Sequence, residues 1–247
     1  MPTSVAPNPD LVKVFEIADD ALIALRGYHA YVADAILRPL NDYPTIPTDG
    51  LQITHDWKRL HDKDILITQM TSAFEIVHAR NAILIMVSIL EAAIVDFLEV
   101  LGKTGHPQTV KNNYKARIIW SIPFVKRTDY GGANWNSRAD NVCQDVDHAR
   151  RIRNLLMHNN GTYAPRYSTD VITSLGTPKC LATWKGATDT GPVDIRAQDY
   201  YQLSQSHTEF LHRLHHELQK SMFGCTGSYG YAKKGKLIEW ERIIKRT

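Results

Sequence analysis

Between Ala82 and Leu101 the chain reads AILIMVSILEAAIVDFLEVL, which is apolar almost all the way round a helix. A helix without a polar face must be covered on several sides by other elements. The segment therefore demands a core built around it, and a chain of 247 residues is long enough to supply one. Its most apolar part, Ala82 to Val95, carries Glu91 and lies between Arg80 and Asp96. That is too short to span a bilayer, so it reads as a buried helix and predicts no membrane partner.

Helical spacing recurs along the chain. Leu11, Val14, Phe15, Ala18, Leu22 and Leu25 predict an amphipathic helix over 10–38, which Pro39, Pro44 and Pro47 break. A helical pattern resumes near Asp56 and runs, with room for a break, to Leu101, where Gly102, Gly105 and Pro107 stop it. A third helix is expected over 108–121. Tyr130 to Asn134 reads as a loop, and Asn136 or Ser137 is placed to cap a helix continuing to His158, with Asn160-Gly161 closing it in a left-handed turn. Residues 162–192 lack the 3.6 period and read as a loop or small hairpin. Tyr200, Leu203, Phe210, Leu211, Leu214 and Leu218 define a last helix over 196–222, with a mostly polar opposite side. The expected fold is all-α, an antiparallel helical bundle. It divides into an N-terminal helix and Pro-rich loop packing on the core (1–55), the main helical domain (56–230) and a basic tail (231–247).

Charge is distributed unevenly. Residues 1–100 hold 7 Lys and Arg against 14 Asp and Glu, whereas 101–247 hold 22 against 12. A polyanion would bind the second part, above all 111–166, with 10 basic and 4 acidic residues. Three widely spaced cysteines, with no CxxC, suggest neither zinc nor a disulfide framework. No secretory leader pattern opens the chain. A cytoplasmic setting is expected.

Within the basic segment lies Arg150-Arg151-Ile152-Arg153-Asn154-Leu155-Leu156-Met157-His158-Asn159-Asn160-Gly161. Arg150, Asn154 and His158 follow one helical stripe at i, i+4 and i+8, flanked by Arg151 and Arg153, while Ile152, Leu155 and Leu156 face a core. His158 falls in the terminal turn, where the helix dipole favours a cation. A guanidinium suits phosphate oxygens and an imidazole carries protons near neutral pH. Together they meet much of what RNA cleavage without a metal requires: a proton off the 2′-hydroxyl, a proton onto the leaving 5′-oxygen, and a counter-charge for the phosphoryl oxygens.

Arg153-Asn154-Leu155-Leu156-Met157-His158 resembles the Arg-x4-6-His motif of the HEPN superfamily (higher eukaryotes and prokaryotes nucleotide-binding), in which a small polar residue such as Asn154 follows the arginine. Arg151 with His158 fits the x6 form, so either arginine can be the motif residue, the Arg-Asn pair favouring Arg153. The resemblance covers 64–222. It implies an all-α domain, commonly a dimer, in which the motifs of two protomers form one ribonuclease site without a cofactor. Many members are toxins or defence nucleases, which brings an antitoxin or regulatory partner into view; others only bind or dimerise. On this reading Arg153 stabilises phosphoryl charge, His158 moves the proton, and Asn154 fixes the histidine or the phosphate. Arg150, Arg151 and Asn159 would hold RNA.

Other residues are candidates on their own chemistry. An unpaired Glu91 would be costly in so apolar a helix, and pairing with Arg153 or Arg150 would orient the guanidinium; Asp96 is an alternative acid. Tyr163 could bond substrate or pack. Lys126 and Arg127, interleaved with Trp120, Tyr130, Asn134, Trp135 and Arg138, could hold a single strand whose bases stack on the aromatics. His207, His212, His215 and His216 read as a solvated helix face; His212 and His216 also have metal-ligand spacing, without the cysteines or HExxH pattern that would support a metal. The tail, with Lys233, Lys234, Lys236 and Trp240, could touch RNA or a partner. A helical module that binds without turnover, and a protein whose basic half contacts an acidic partner, remain the rival readings.

Overall fold

The computed structural model describes residues 5–32, 55–127, 138–158, 195 and 197–225, and within the first helix of the second stretch the side chains from Phe74 onward. Five α-helices and no strand occur among these residues: α1 (Pro9–Val32), α2 (His55–Lys103), α3 (Tyr114–Lys126), α4 (Ala139–His158) and α5 (Ala197–Phe223). None is long and apolar enough to cross a membrane. The expected hairpin over 162–192, the turn at Asn160-Gly161 and the basic tail lie outside the described residues.

Local chemistry sets the ends. The Asn8 side chain accepts from the backbone N–H of Asp10 (3.0 Å) and Leu11 (3.1 Å), satisfying donors that the first turn of α1 leaves open. No break interrupts α2, because its straight-chain and apolar residues sustain the helix without a Gly or Pro before Gly102. α3 starts later than its pattern suggested: Asn113, extended at φ −141° and ψ 151°, accepts from the Ala116 N–H at 2.8 Å, and the helix then continues past Pro123. α5 ends at Gly224, which has φ 65°, with the Cys225 N–H reaching back to the Gln219 carbonyl at 3.2 Å.

Pairings fix the directions. Gln219 bonds both backbone groups of Asn8, His212 meets Asp19 at 2.9 Å, and Tyr200 stacks on His29, so α1 and α5 run antiparallel. Arg138 with Glu209 and Asp145 with Ser206 make α4 antiparallel to α5 as well. α2 runs alongside α5 in the same direction, since Glu75 accepts from the Ala197 N–H and Phe97 lies against His215. The core joins Ile83, Met86, Leu90, Ile94 and Phe97 of α2 to Leu11 and Phe15 of α1, Val146 and Ile152 of α4, and Leu203, Phe210 and Leu214 of α5.

One expectation is reversed. The polar side of α5 is buried, with His207, His215, Arg213, Glu217 and Gln219 all at most 3% exposed. α1, α2, α3 and α4 all pack on this helix, so little of it beyond Gln202, Gln205 and its last turn is exposed. Its polar groups are accommodated by pairing: Arg213 with Glu209 (2.9 and 2.8 Å), Glu209 with Arg138 (3.5 Å), and Ser206 with Asp145 (2.6 Å). Conversely α2 is not covered all round: Val77 and Ile85 are about half exposed.

Candidate functional site

The arginine cluster is organised by a residue the sequence reading passed over. Asp147 Oδ1 accepts from Arg150 Nε at 2.8 Å and lies 2.7 Å from its Nη2, while Oδ2 accepts from Arg151 Nε at 2.9 Å. One carboxylate thus holds two guanidinium groups, which leaves the triad with a net charge of +1. The arrangement is built by helix spacing alone, i to i+3 and i to i+4. That signal, Asp-x-x-Arg-Arg, was readable in the sequence. Arg150 is buried, Arg151 and Arg153 are partly buried, and Met157 and His158 are exposed in the last turn of α4.

Helix geometry separates the arginines. At about 100° per residue, Asp147, Arg151, Asn154 and His158 (i, i+4, i+7, i+11) form one stripe, with Arg151 only about 20° from His158. Arg153 lies about 140° round from the histidine. Its Nη1 donates to Asn154 Oδ1 at 3.3 Å, so Asn154 is bonded to an arginine here. Arg150 and Arg153 act instead on Tyr114, whose phenol is pushed upward in pKa chiefly by burial, then by Glu91 and Asp147, with Arg150 and Arg153 opposing. The Tyr114 hydroxyl has no hydrogen-bond partner among the described residues.

Glu91 is not paired as expected. Its Oε1 accepts from Arg117 Nη1 of α3 at 3.3 Å, and Arg117 also bonds Asn112, whereas neither Arg150 nor Arg153 bonds it. The reason lies in the neighbour: α3 presents Arg117 over that turn of α2, and the pair is partly exposed rather than sealed in the core. Asp96, the alternative acid, is exposed.

Lys126 and Arg127 sit elsewhere. Lys126 Nζ lies 2.5 Å from Asp140 Oδ1, at the opposite end of α4 from His158, roughly 27 Å away along the helix axis. That contact raises the lysine pKa. Arg127 lies over the Phe124 ring, 5.3 Å from its centroid, and Trp120 packs on the same ring while its Nε1 donates to Gln108. The structure therefore does not bring these basic residues to the Arg/His end. Asn159, Tyr163, Tyr130, Asn134 and Trp135 lie outside the described residues.

Of the histidines of α5, His207 and His215 are core residues, and His212 and His216 are partly buried. His212 bonds Asp19, His215 stacks on Phe15 at 4.4 Å and accepts from Gln219, and His207 donates Nδ1–H to the Leu203 carbonyl. Burial drives His207 down to about 4 and His215 to about 3; it likewise holds His29 near 3 and His148 near 4. Among the described residues no three His, Cys, Asp or Glu side chains gather into a possible metal site. Cys143 and Cys225 are buried free thiols, and burial raises the former to about 12, which leaves it unreactive. Against family models, curated proteins and solved structures, the chain has no match.

Proposed function

We propose that this chain is a metal-independent endoribonuclease of the HEPN type, acting at the C-terminal end of α4. The observation that carries this reading is an exposed histidine in the last turn of α4, one to two turns beyond three arginines, two of them fixed by a single carboxylate. In the reaction the 2′-oxygen forms a bond to phosphorus as its proton passes to a base, and the P–O5′ bond breaks as the leaving oxygen takes a proton. His158 moves the proton, and the guanidinium of the motif, Arg153 or Arg151, offsets charge on the phosphoryl oxygens. A second copy of the chain would complete the site by supplying the complementary imidazole. RNA is then the substrate, the protein works in the cytoplasm as a homodimer, and an antitoxin or other regulatory partner would hold such an activity in check.

A second reading has its own support. Arg150 is only 8% exposed and, with Arg151, is committed to Asp147, which is what a helix-stabilising cluster in a non-catalytic dimerisation or RNA-binding module would look like. Labelled RNA incubated with the pure protein in EDTA separates the two. Fragments with 2′,3′-cyclic phosphate ends, lost in folded His158→Ala, establish the nuclease; salt-sensitive binding without products establishes the module.

A further inference from the structure

Resting on the nuclease reading, the geometry points to a path for single-stranded RNA that leaves the His158 end of α4 and stacks its bases on an exposed aromatic platform, built by Tyr28 and Tyr31 of α1 with Phe74 of α2. These rings are open to solvent: Tyr28 is 59% exposed, Tyr31 69% and Phe74 38%. They form one surface. Tyr28 meets His78 edge-on with centroids 5.8 Å apart, and Phe74 lies within 6° of parallel to the same imidazole at 6.0 Å. Tyr31 follows Tyr28 at i+3, the spacing of neighbours on a helix. Beneath them His78 packs on buried His29 at 4.5 Å, and His29 stacks on buried Tyr200 at 4.3 Å. A platform seated on such a column loses little freedom when a base lands on it. α1 lies outside the stretch that resembles the HEPN family, so the motif says nothing of it.

Register puts this surface at the His158 end of the bundle. Asp145 of α4 bonds Ser206 of the antiparallel α5, so His158 stands about 20 Å along the axis from that contact. Tyr200, under His29, stands about 9 Å from it in the same direction, and Ala197, bonded by Glu75, about 14 Å. The histidine and the platform are therefore within about 10 Å of each other along the bundle. Across it, α1 and α4 each pack on α2, and at about 10 Å between neighbouring axes the two are at most about 20 Å apart. A strand of about four nucleotides, the lower end of single-strand site sizes, covers that gap.

Charge agrees with this occupant. Arg80 follows Val77 at i+3 and shares the stripe of Glu91, eleven residues later, which is the side of α2 turned to α3. It thus sets a cation beside the platform, on the flank towards the other helices. Among the acids of α1 and α2 whose side chains are described, Glu75 alone lies within a turn of these rings, and it accepts from the Ala197 N–H. The others lie two turns or more towards the far end of the bundle. Flat rings beside a cation suit a strand whose bases are unstacked, while a duplex keeps its base faces covered.

The test measures binding apart from cleavage. Affinity is read in EDTA by fluorescence anisotropy on a labelled 12-nucleotide single strand carrying 2′-deoxyribose throughout, and on its duplex; single-turnover cleavage is followed on the matching RNA. Tyr28→Ala with Tyr31→Ala, shown to be folded by circular dichroism and thermal melting, should weaken single-strand binding about 30-fold, since each lost stack is worth roughly 5-fold or more. Duplex binding and the cleavage rate at saturating protein should change less than 3-fold. Tyr28→Phe with Tyr31→Phe keeps the ring faces and should bind within 2-fold of the native chain. Should the double alanine variant fail to fold, Tyr31→Ala alone decides, because that side chain is the most exposed of the three: an expected loss of about 5-fold against none. Unchanged single-strand affinity in the folded alanine variants overturns the platform, as does an equal loss for the duplex. A change in self-association by sedimentation, with RNA affinity intact, overturns it in favour of a protein interface. In these cases cleavage by the native chain leaves the nuclease reading standing. A native chain that binds the strand through these rings and never cuts RNA sinks the nuclease reading and keeps the platform.

Discussion

Acid should unfold this protein well above the range in which carboxylates titrate. His29, His148, His207 and His215 are each at most 3% exposed, and burial holds them at about 3, 4, 4 and 3. In the unfolded chain an imidazole titrates near 6.5. A folded-state value below the unfolded one means that the unfolded chain binds more protons, so stability is complete above pH 6.5 and is lost as pH falls toward 4. At pH 5 each such histidine costs roughly 2 kcal/mol, and the four together about 8 kcal/mol, against a whole-domain stability of 5–15 kcal/mol. Urea titrations from pH 7.5 to 4.5 should show stability falling with a slope near pH 5 that corresponds to about four protons taken up on unfolding. His29→Phe isolates one of them: both imidazole nitrogens lack a partner among the described residues and the ring stacks on Tyr200 at 4.3 Å, so Phe keeps the packing and removes the titration. Uptake should drop by one proton, with stability at pH 7.5 unchanged or raised. Equal stability at pH 7 and 5, or the same proton uptake in His29→Phe, would refute the reasoning.

Further outcomes follow from single contacts. Glu209→Ala leaves the Arg213 guanidinium buried without its ion partner and should lower stability by about 3–5 kcal/mol in denaturant titrations, whereas Glu209→Leu with Arg213→Met should restore part of it. Leu90→Ala, in the C-terminal half of α2 and fully buried, should cost about 2–5 kcal/mol by the same measurement. Gly224→Ala has open space for its methyl group but must adopt φ 65°, so a loss of roughly 1 kcal/mol in thermal unfolding is expected from backbone strain alone.

The helices were legible because apolar residues recur every three to four positions, and α1, α2, α4 and α5 each begin within about three residues of where the pattern placed them. What the pattern could not say is which helix ends up in the middle. The polar residues of α5 suggested a wet face, yet four helices pack around it, and ion pairs such as Arg213–Glu209 make the burial tolerable. Tertiary context likewise decided the partner of Glu91. The sequence correctly demanded a cation for a carboxylate on so apolar a helix; only packing could show that α3 brings Arg117 there before α4 can bring Arg150. The Arg/His end was visible as a motif, and its internal support by Asp147 was visible as spacing, but that one carboxylate holds both Arg150 and Arg151 is something no motif expresses.

Whether the 2′-hydroxyl of RNA is attacked at the His158 end of α4 can be read from a single substrate. A defined RNA is prepared with one 2′-deoxyribose at a site the protein cuts, and its fragments are resolved by mass after incubation in EDTA. Cleavage should vanish at that position alone, continue at the unmodified sites with cyclic phosphate and 5′-hydroxyl ends, and disappear everywhere in His158→Ala. Cutting that persists at the deoxyribose position, or that survives in folded His158→Ala, contradicts the account.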